Sequence, residues 1–169
     1  ILATAEQLVV SLAGTDELAI VDRVGVREVR VPVGRRPISI THDETTNRAY
    51  VVNSLSDSVS IVDLTDNRLL DTISLGPSPS PGLVERGEIA FFSAKLSHES
   101  WMSCQSCHTD GHTNNGLADT LGDGDFGAAK RVPTLRGVWS TGPWAWNGSQ
   151  HLLHGQVQKS VSTTMRSAE

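Results

Sequence analysis

Through the first half of the chain, apolar and polar positions alternate in short runs. Leu8-Val9-Val10-Ser11, Leu18-Ala19-Ile20-Val21-Asp22 and Val31-Pro32-Val33-Gly34 form one set of β-branched stretches. Tyr50-Val51-Val52-Asn53, Val59-Ser60-Ile61-Val62-Asp63 and Ile73-Ser74-Leu75-Gly76 form a second. Alternation with β-branching predicts half-buried strands. The polar clusters from Asp43 to Asn47 and at Asp66-Asn67 supply turns between them. After Gly76 the pattern changes, and all four Trp, all three Phe and five of the six His lie beyond it. Leu83 to Phe92 carries a loose apolar stripe of Val84, Ile89 and Phe92, with Glu85 in the first turn, and predicts a helix although Gly87 weakens it. Ser103 to Gly142 is rich in Gly, Asn, Asp and Thr and predicts long loops, which usually wrap something. Gln150 to Val157 predicts a short helix.

The two sets of strands repeat. Matched by their letters, Leu8 to Ser11 aligns with Tyr50 to Asn53, Leu18 to Asp22 with Val59 to Asp63, and Val31 to Gly34 with Ile73 to Gly76, at offsets of 41 or 42 residues. That period fits a four-stranded propeller blade of about 40–45 residues, with a plain β-meander as the alternative. Tyr50-Val51-Val52-Asn53 followed by Val59-Ser60-Ile61-Val62-Asp63 resembles the YVTN-type β-propeller repeat, Val52 standing in place of the family's Thr. The resemblance covers residues 8–76, about two blades. Propellers close with about 4–8 blades, so two leave an edge that a longer chain, the second part or another subunit must cover. The expected architecture is α+β: a partial β-propeller over residues 1–76, a Pro-rich linker at 77–82, and a small, mostly helical, loop-rich domain over 83–169.

Composition narrows the function classes. Fourteen Lys+Arg against nineteen Asp+Glu give a net charge of −5 with no basic run, which argues against nucleic acid as a partner. No apolar stretch reaches the ~18 residues of a membrane span. The start, Ile1-Leu2-Ala3-Thr4, reads as a mature or excised terminus, so an export signal is expected outside this sequence. Two cysteines are too few for a disulfide framework.

Those cysteines carry the chemistry. Cys104-Gln105-Ser106-Cys107-His108 is the C-x-x-C-H attachment signature of c-type haem. Two thiols on one helical turn can reach the two vinyl groups on one porphyrin edge, and the next residue sets its imidazole under the iron as proximal ligand. One covalent haem is therefore expected, and with it attachment outside the cytoplasm, in the periplasm or a comparable compartment. Three other readings compete: zinc on Cys104, Cys107 and His112, a thioredoxin-type pair, and a structural disulfide. A proximal histidine normally donates its other ring N–H to a carbonyl, and Pro133, opening Pro133-Thr134-Leu135-Arg136-Gly137, is the candidate acceptor. For the sixth iron position Met165 is the candidate thioether, with His112, His151, His154 or an open site as alternatives. Asp119, Asp123 and Asp125 invite a calcium reading, but their spacing misses the EF-hand pattern and a solvated acidic loop is expected.

The run from Arg86 to Met165 resembles the N-terminal haem domain of bacterial dihaem cytochrome c peroxidases and their relative MauG. The resemblance is carried by Arg86-Gly87-Glu88 with Phe91-Phe92, by Ser103 to His108, by Pro133-Thr134-Leu135, by Trp146-Asn147-Gly148-Ser149 and by Leu153-His154-Gly155-Gln156-Val157. It implies that Pro133 and Leu135 lie against the haem, that Trp146 relays electrons toward a second haem, and that Gln156 faces a bound oxygen ligand. Asn147 and Ser149 replace two charged residues of the family's tryptophan motif, and Thr163-Thr164 stand where the family has an acid before Met165. A second haem domain is implied as well, for which this sequence has no second C-x-x-C-H, and residues 83–169 are expected to be a cytochrome c-like haem domain truncated before the C-terminal helix that the family packs on its first helix. The function so read is electron transfer by an exported c-type cytochrome within a peroxidase-like oxidoreductase, served by a redox protein donor or acceptor. A binding module built on the propeller, with the haem structural or a docking relay, is the other reading.

Overall fold

The computed structural model describes residues 1–77, 80–120 and 124–167. Ser78 and Pro79 of the expected linker, and Gly122 and Asp123 of the acidic loop, lie outside them. The chain divides into two compact units, Ile1–Ile89 and the part from Ala90 on.

The first unit is built of two four-stranded antiparallel sheets. β1 (Leu2–Ala3), β2 (Gln7–Leu12), β3 (Glu17–Asp22) and β4 (Glu28–Pro32) pair in chain order, as do β5 (Pro37–Asp43), β6 (Arg48–Asn53), β7 (Ser58–Asp63) and β8 (Arg68–Ser74). Every link is a tight turn, and Asp16, Asn47, Asp57 and Asn67 take the positive φ that such turns demand of a short polar residue. The sheets pack face to face. Val9, Leu18, Ile20 and Val31 of the first meet Ala49, Val51, Val62 and Leu64 of the second, all buried. Each fully buried Val or Leu contributes about 1.5–3 kcal/mol, and this cluster is the core of the unit.

The repeat is real in the backbone, but its register differs from the one the letters suggest. Val9 pairs with Ile20 and Tyr50 pairs with Ile61, so Val9 corresponds to Tyr50, 41 residues on, and not to Val51. The alignment of Leu8-Val9-Val10-Ser11 with Tyr50-Val51-Val52-Asn53 is thus one residue out. A slip of one reverses every side chain's face, and here the faces decide: Val9 and Val51 meet across the core from opposite sheets. The offset grows to 42 at β8 because the β7–β8 register shifts between Ile61 and Val62, where the pairing passes from Asp71 to Leu69 and leaves Leu70 as the extra residue. Two hydrogen bonds mark the corresponding corners, Val33 N–H to Asp16 O at 2.9 Å and Leu75 N–H to Asp57 O at 2.8 Å.

Gly34 seats the second sheet on the first. A Cβ there would lie 2.5 Å from Ser56 Oγ and 2.6 Å from Asn53 Cγ. Asn53 is buried and donates from Nδ2 to Ser58 Oγ at 3.1 Å and Ser60 Oγ at 2.9 Å. The Gly34 N–H in turn donates to Ser60 Oγ at 3.3 Å.

After the sheets, α1 (Leu83–Phe92) forms over the span its apolar stripe predicts. The second unit is dominated by loops. Its regular elements are α2 (Cys104–Cys107), a small pair of β9 (Leu117–Ala118) with β10 (Lys130–Arg131), and α3 (Leu153–Lys159), with several single 3-10 turns. Helix content is lower than the expected mostly helical domain, because side-chain turns hold the backbone instead. Thr113 Oγ1 accepts from Asn115 N–H at 2.9 Å and Asn114 Oδ1 accepts from Gly116 N–H at 2.9 Å. α3 starts later than Gln150 because Gln150 is still paired with Trp144 in an antiparallel bridge. Together the two units make an α+β protein.

Candidate functional site

The pentapeptide Cys104 to His108 forms one tight turn. Ser106 Oγ accepts the Ser103 N–H at 3.0 Å, closing the entrance of α2, and His108 N–H donates to Cys104 O at 2.9 Å, closing its exit. Both thiols therefore sit on a single helical turn, three positions apart, with the imidazole immediately after them. Both are half-buried and free. Burial pushes each thiol above its ordinary pKa, for Cys104 with a further contribution from Cys107. The pair is thus protonated near neutral pH, the reverse of an activated thioredoxin-type cysteine.

His108 Nδ1 lies 3.0 Å from the carbonyl oxygen of Pro133. A carbonyl can only accept, so Nδ1 is the donor of this bond, and in the neutral imidazole the lone pair then sits on Nε2. The sequence thus names both partners of this bond, although they are 25 residues apart. The loop carrying Pro133 is tied to the pentapeptide by several bonds. Leu135 N–H donates to Gly111 O at 3.1 Å, Asn114 N–H to Cys107 O at 2.9 Å, and Val132 N–H to Gly116 O at 3.0 Å. Thr113 Oγ1 donates to Val132 O at 2.7 Å.

Sequence reasoning missed one clamp inside the motif. Gln105, a variable position of C-x-x-C-H, donates from Nε2 to Asp110 Oδ1 at 3.1 Å and accepts from Asp110 N–H at 2.8 Å. Asp110 has a φ of 50°, and the clamp fixes that left-handed residue. Asn114, missed too, donates from Nδ2 to Ser106 O at 3.2 Å. Only the Asn-Asn-Gly composition of 114–116 hints at it.

The other candidates are held by bonds of their own. Met165 is only 3% exposed. Its N–H donates to Ser160 O at 3.0 Å, after a π-helical turn at Ser160–Thr164, and its carbonyl accepts from His98 N–H at 2.9 Å. Gln156, on α3, donates from Nε2 to Ser160 Oγ at 3.0 Å, while its Oε1 is buried and has no hydrogen-bond partner among the described residues. Trp146 is 58% exposed, on a turn closed by Gly148 N–H to Ala145 O at 3.1 Å. His112, His151 and His154 are exposed. No hydrogen bond joins Met165, Gln156 or Trp146 to the pentapeptide among the described residues.

The alternatives find little support in these positions. Among the described residues no three His, Cys, Asp or Glu side chains cluster as a metal site would need, and the Cys104, Cys107 and His112 zinc arrangement gains no support. Around the acidic loop, Asp119 Oδ2 accepts from Gly127 N–H at 2.8 Å and Asp125 Oδ1 from Phe126 N–H at 2.7 Å. Asp123, the third member of the calcium reading, lies outside the described residues.

The donor set fits a haem. Two thiols on one turn and an imidazole whose Nδ1 is tethered to a carbonyl suit a haem iron and its porphyrin. Fold and site together define a redox protein of the haem type. Residues 81–168, more than half the chain, match the family model of di-haem cytochrome c peroxidase, and the chain belongs to that family. Among solved structures it is similar to Kuenenia stuttgartiensis hydrazine synthase, at 28% identity and a TM-score of 0.40, over 44% of this chain and 22% of that chain. The chain thus spans less than a quarter of that protein's chain. No curated protein matches it. No helix among the described residues is long and apolar enough to cross a membrane.

Proposed function

We propose that the chain is an exported, periplasmic c-type cytochrome in which Cys104 and Cys107 hold one haem covalently and His108 binds its iron through Nε2. The observation that carries this reading is the 3.0 Å bond from His108 Nδ1–H to Pro133 O, beside two thiols on one turn. When bound, the haem supplies one-electron chemistry at an iron whose axial ligands set its potential. The chain's own task is to fix the imidazole. The Pro133 carbonyl sets the tautomer and ring angle and makes Nε2 more basic, while Leu135 and the Gln105–Asp110 clamp hold the loops on either side. Met165 is the proposed sixth ligand, supported by its burial and by backbone bonds on both sides.

The family implies a second haem, and the first unit, with two blade-like sheets, is proposed as part of a β-propeller. In this reading residues 1–76 are the propeller part, 77–82 the linker and 83–169 the haem domain. In this reading Trp146 would relay electrons between a haem held here, a second haem domain and a redox protein partner. The assembly acts as a peroxidase-like oxidoreductase. A second reading, in which this haem itself meets the oxidant, is favoured by Gln156 Oε1, a buried acceptor awaiting a donor. The ferric absorption spectrum of the haem-loaded chain separates the two. A low-spin iron indifferent to cyanide and peroxide, with a thioether-to-iron band lost in Met165→Ala, supports electron transfer. A high-spin iron that binds both replaces it with the oxidant-binding reading. A haem that protein donors cannot reduce contradicts both and favours the propeller-based binding module.

A further inference from the structure

His108 lies inside a closed circuit of hydrogen bonds, and two side chains make one corner of it. Gln105 Oε1 accepts the Asp110 N–H at 2.8 Å, and Gln105 Nε2 donates to Asp110 Oδ1 at 3.1 Å. Asp110 is left-handed, with φ 50° and ψ 40°, and Gly111 follows it at φ 71°. These two residues turn the chain back on the pentapeptide, so that the Gly111 N–H donates to His108 O at 2.9 Å. The Gly111 carbonyl accepts the Leu135 N–H at 3.1 Å. Two residues before Leu135, the Pro133 carbonyl lies 3.0 Å from His108 Nδ1. The reversal at 110–111 therefore governs both ends of the histidine's tether, the backbone of His108 and the segment that carries Pro133.

A left-handed backbone is disfavoured for an L-residue other than glycine, so Asp110 needs a partner that holds it there. A glutamine amide meets that need, because it offers an acceptor and a donor in one plane. Glu would offer only acceptors and Lys only donors. We propose that Gln105 and Asp110 are positioning residues for the proximal ligand, a role that rests on the covalent haem read above. Their paired bonds lock the 110–111 reversal and so aim the Pro133 carbonyl at His108 Nδ1. Releasing the clamp loosens that tether and leaves Nε2 less basic, which disfavours ferric relative to ferrous iron and raises the midpoint potential.

Redox titration of the full haem-loaded chain, with ferric electron paramagnetic resonance on the same samples, tests it. Gln105→Ala removes both bonds and no charge. It is expected to shift the ferric–ferrous equilibrium toward ferrous by about threefold or more at fixed ambient potential, with a broadened ferric signal. Gln105→Met, similar in size and without either bond, is expected to do the same. Asp110→Asn keeps an acceptor oxygen and tolerates the left-handed backbone, so it is expected to hold the wild-type potential. The exchange Gln105→Glu/Asp110→Asn conserves net charge and lets the new amide donate to the new carboxylate, which still accepts the backbone N–H at 110. It is expected to restore what Gln105→Ala loses. A lowered melting temperature with an unmoved potential in Gln105→Ala and Gln105→Met overturns the proposal. A potential that rises in Asp110→Asn but not in Gln105→Ala overturns it too, as the mark of the carboxylate's charge and not of its bond. A wild-type chain that takes up no haem overturns the haem reading and this role together, whereas loaded variants with unmoved potentials overturn this role alone.

Discussion

At the scale of single residues, a few side chains and one missing side chain set local geometry. Gly34 leaves room for Asn53 and Ser56, and a methyl group there would lie 2.5 Å from Ser56 Oγ. Gly34→Ala is therefore expected to destabilise the chain by about 1–3 kcal/mol, as overpacking does, measured by denaturant unfolding. The turn carboxylates act through charge. Asp63 is held below the ordinary carboxylate pKa first by the Thr65 N–H and then by that of Asp66, and Asp43 first by the Thr46 hydroxyl and then by the Thr45 N–H. A depressed folded value means that each adds stability above the ordinary carboxylate pKa and loses it as pH falls through the folded value. Asp63→Asn keeps an acceptor oxygen for the turn but cannot titrate. Its melting temperature is expected to fall less than that of the wild type on acidification below pH 4 or so, and an equal fall would remove Asp63 from the acid response.

At the scale of elements, the strands were the legible part, because alternation and β-branching report burial directly. α1 was legible at helical period from Val84, Ile89 and Phe92, although none of its residues is buried. The repeat register was not, because Val-Val recurs in both copies and letters align it one residue away from the pairing that puts Val9 opposite Ile20. Only a cross-strand partner resolves such a slip. In the second unit the bond from His108 to Pro133 could be named because the chemistry of a proximal histidine demands an acceptor. The Gln105–Asp110 clamp and the Thr113 and Asn114 turns could not, since they arise from loop geometry that no periodicity encodes. The sheet core yields a prediction at this scale. Leu18 is fully buried between the sheets, so Leu18→Ala is expected to cost about 2–5 kcal/mol. By contrast Val24→Ala, in the exposed turn between β3 and β4, should change stability by less than about 0.5 kcal/mol. Paired urea melts compare them, and equal midpoints would mean that the shared core does not hold the unit.

At the scale of the whole molecule, two units of different construction meet in one chain. The sheets are ladders of paired strands, whereas the second unit is a set of loops pinned around a Cys-x-x-Cys-His turn. Membership of the di-haem cytochrome c peroxidase family explains that contrast if a porphyrin supplies the apolar body the loops enclose. Haem loading is then expected to raise the melting temperature of the second unit by several degrees and leave the sheets unchanged, as binding to the native state requires. Hydrogen exchange resolved by segment measures both at once. The most direct test of the central claim is the intact mass of the chain made with haem-attachment machinery, after denaturation in acid. The account predicts a gain of one haem per wild-type chain, surviving denaturation, and no such gain in the Cys104→Ser/Cys107→Ser double variant. A wild-type chain at its bare polypeptide mass under those conditions would contradict it.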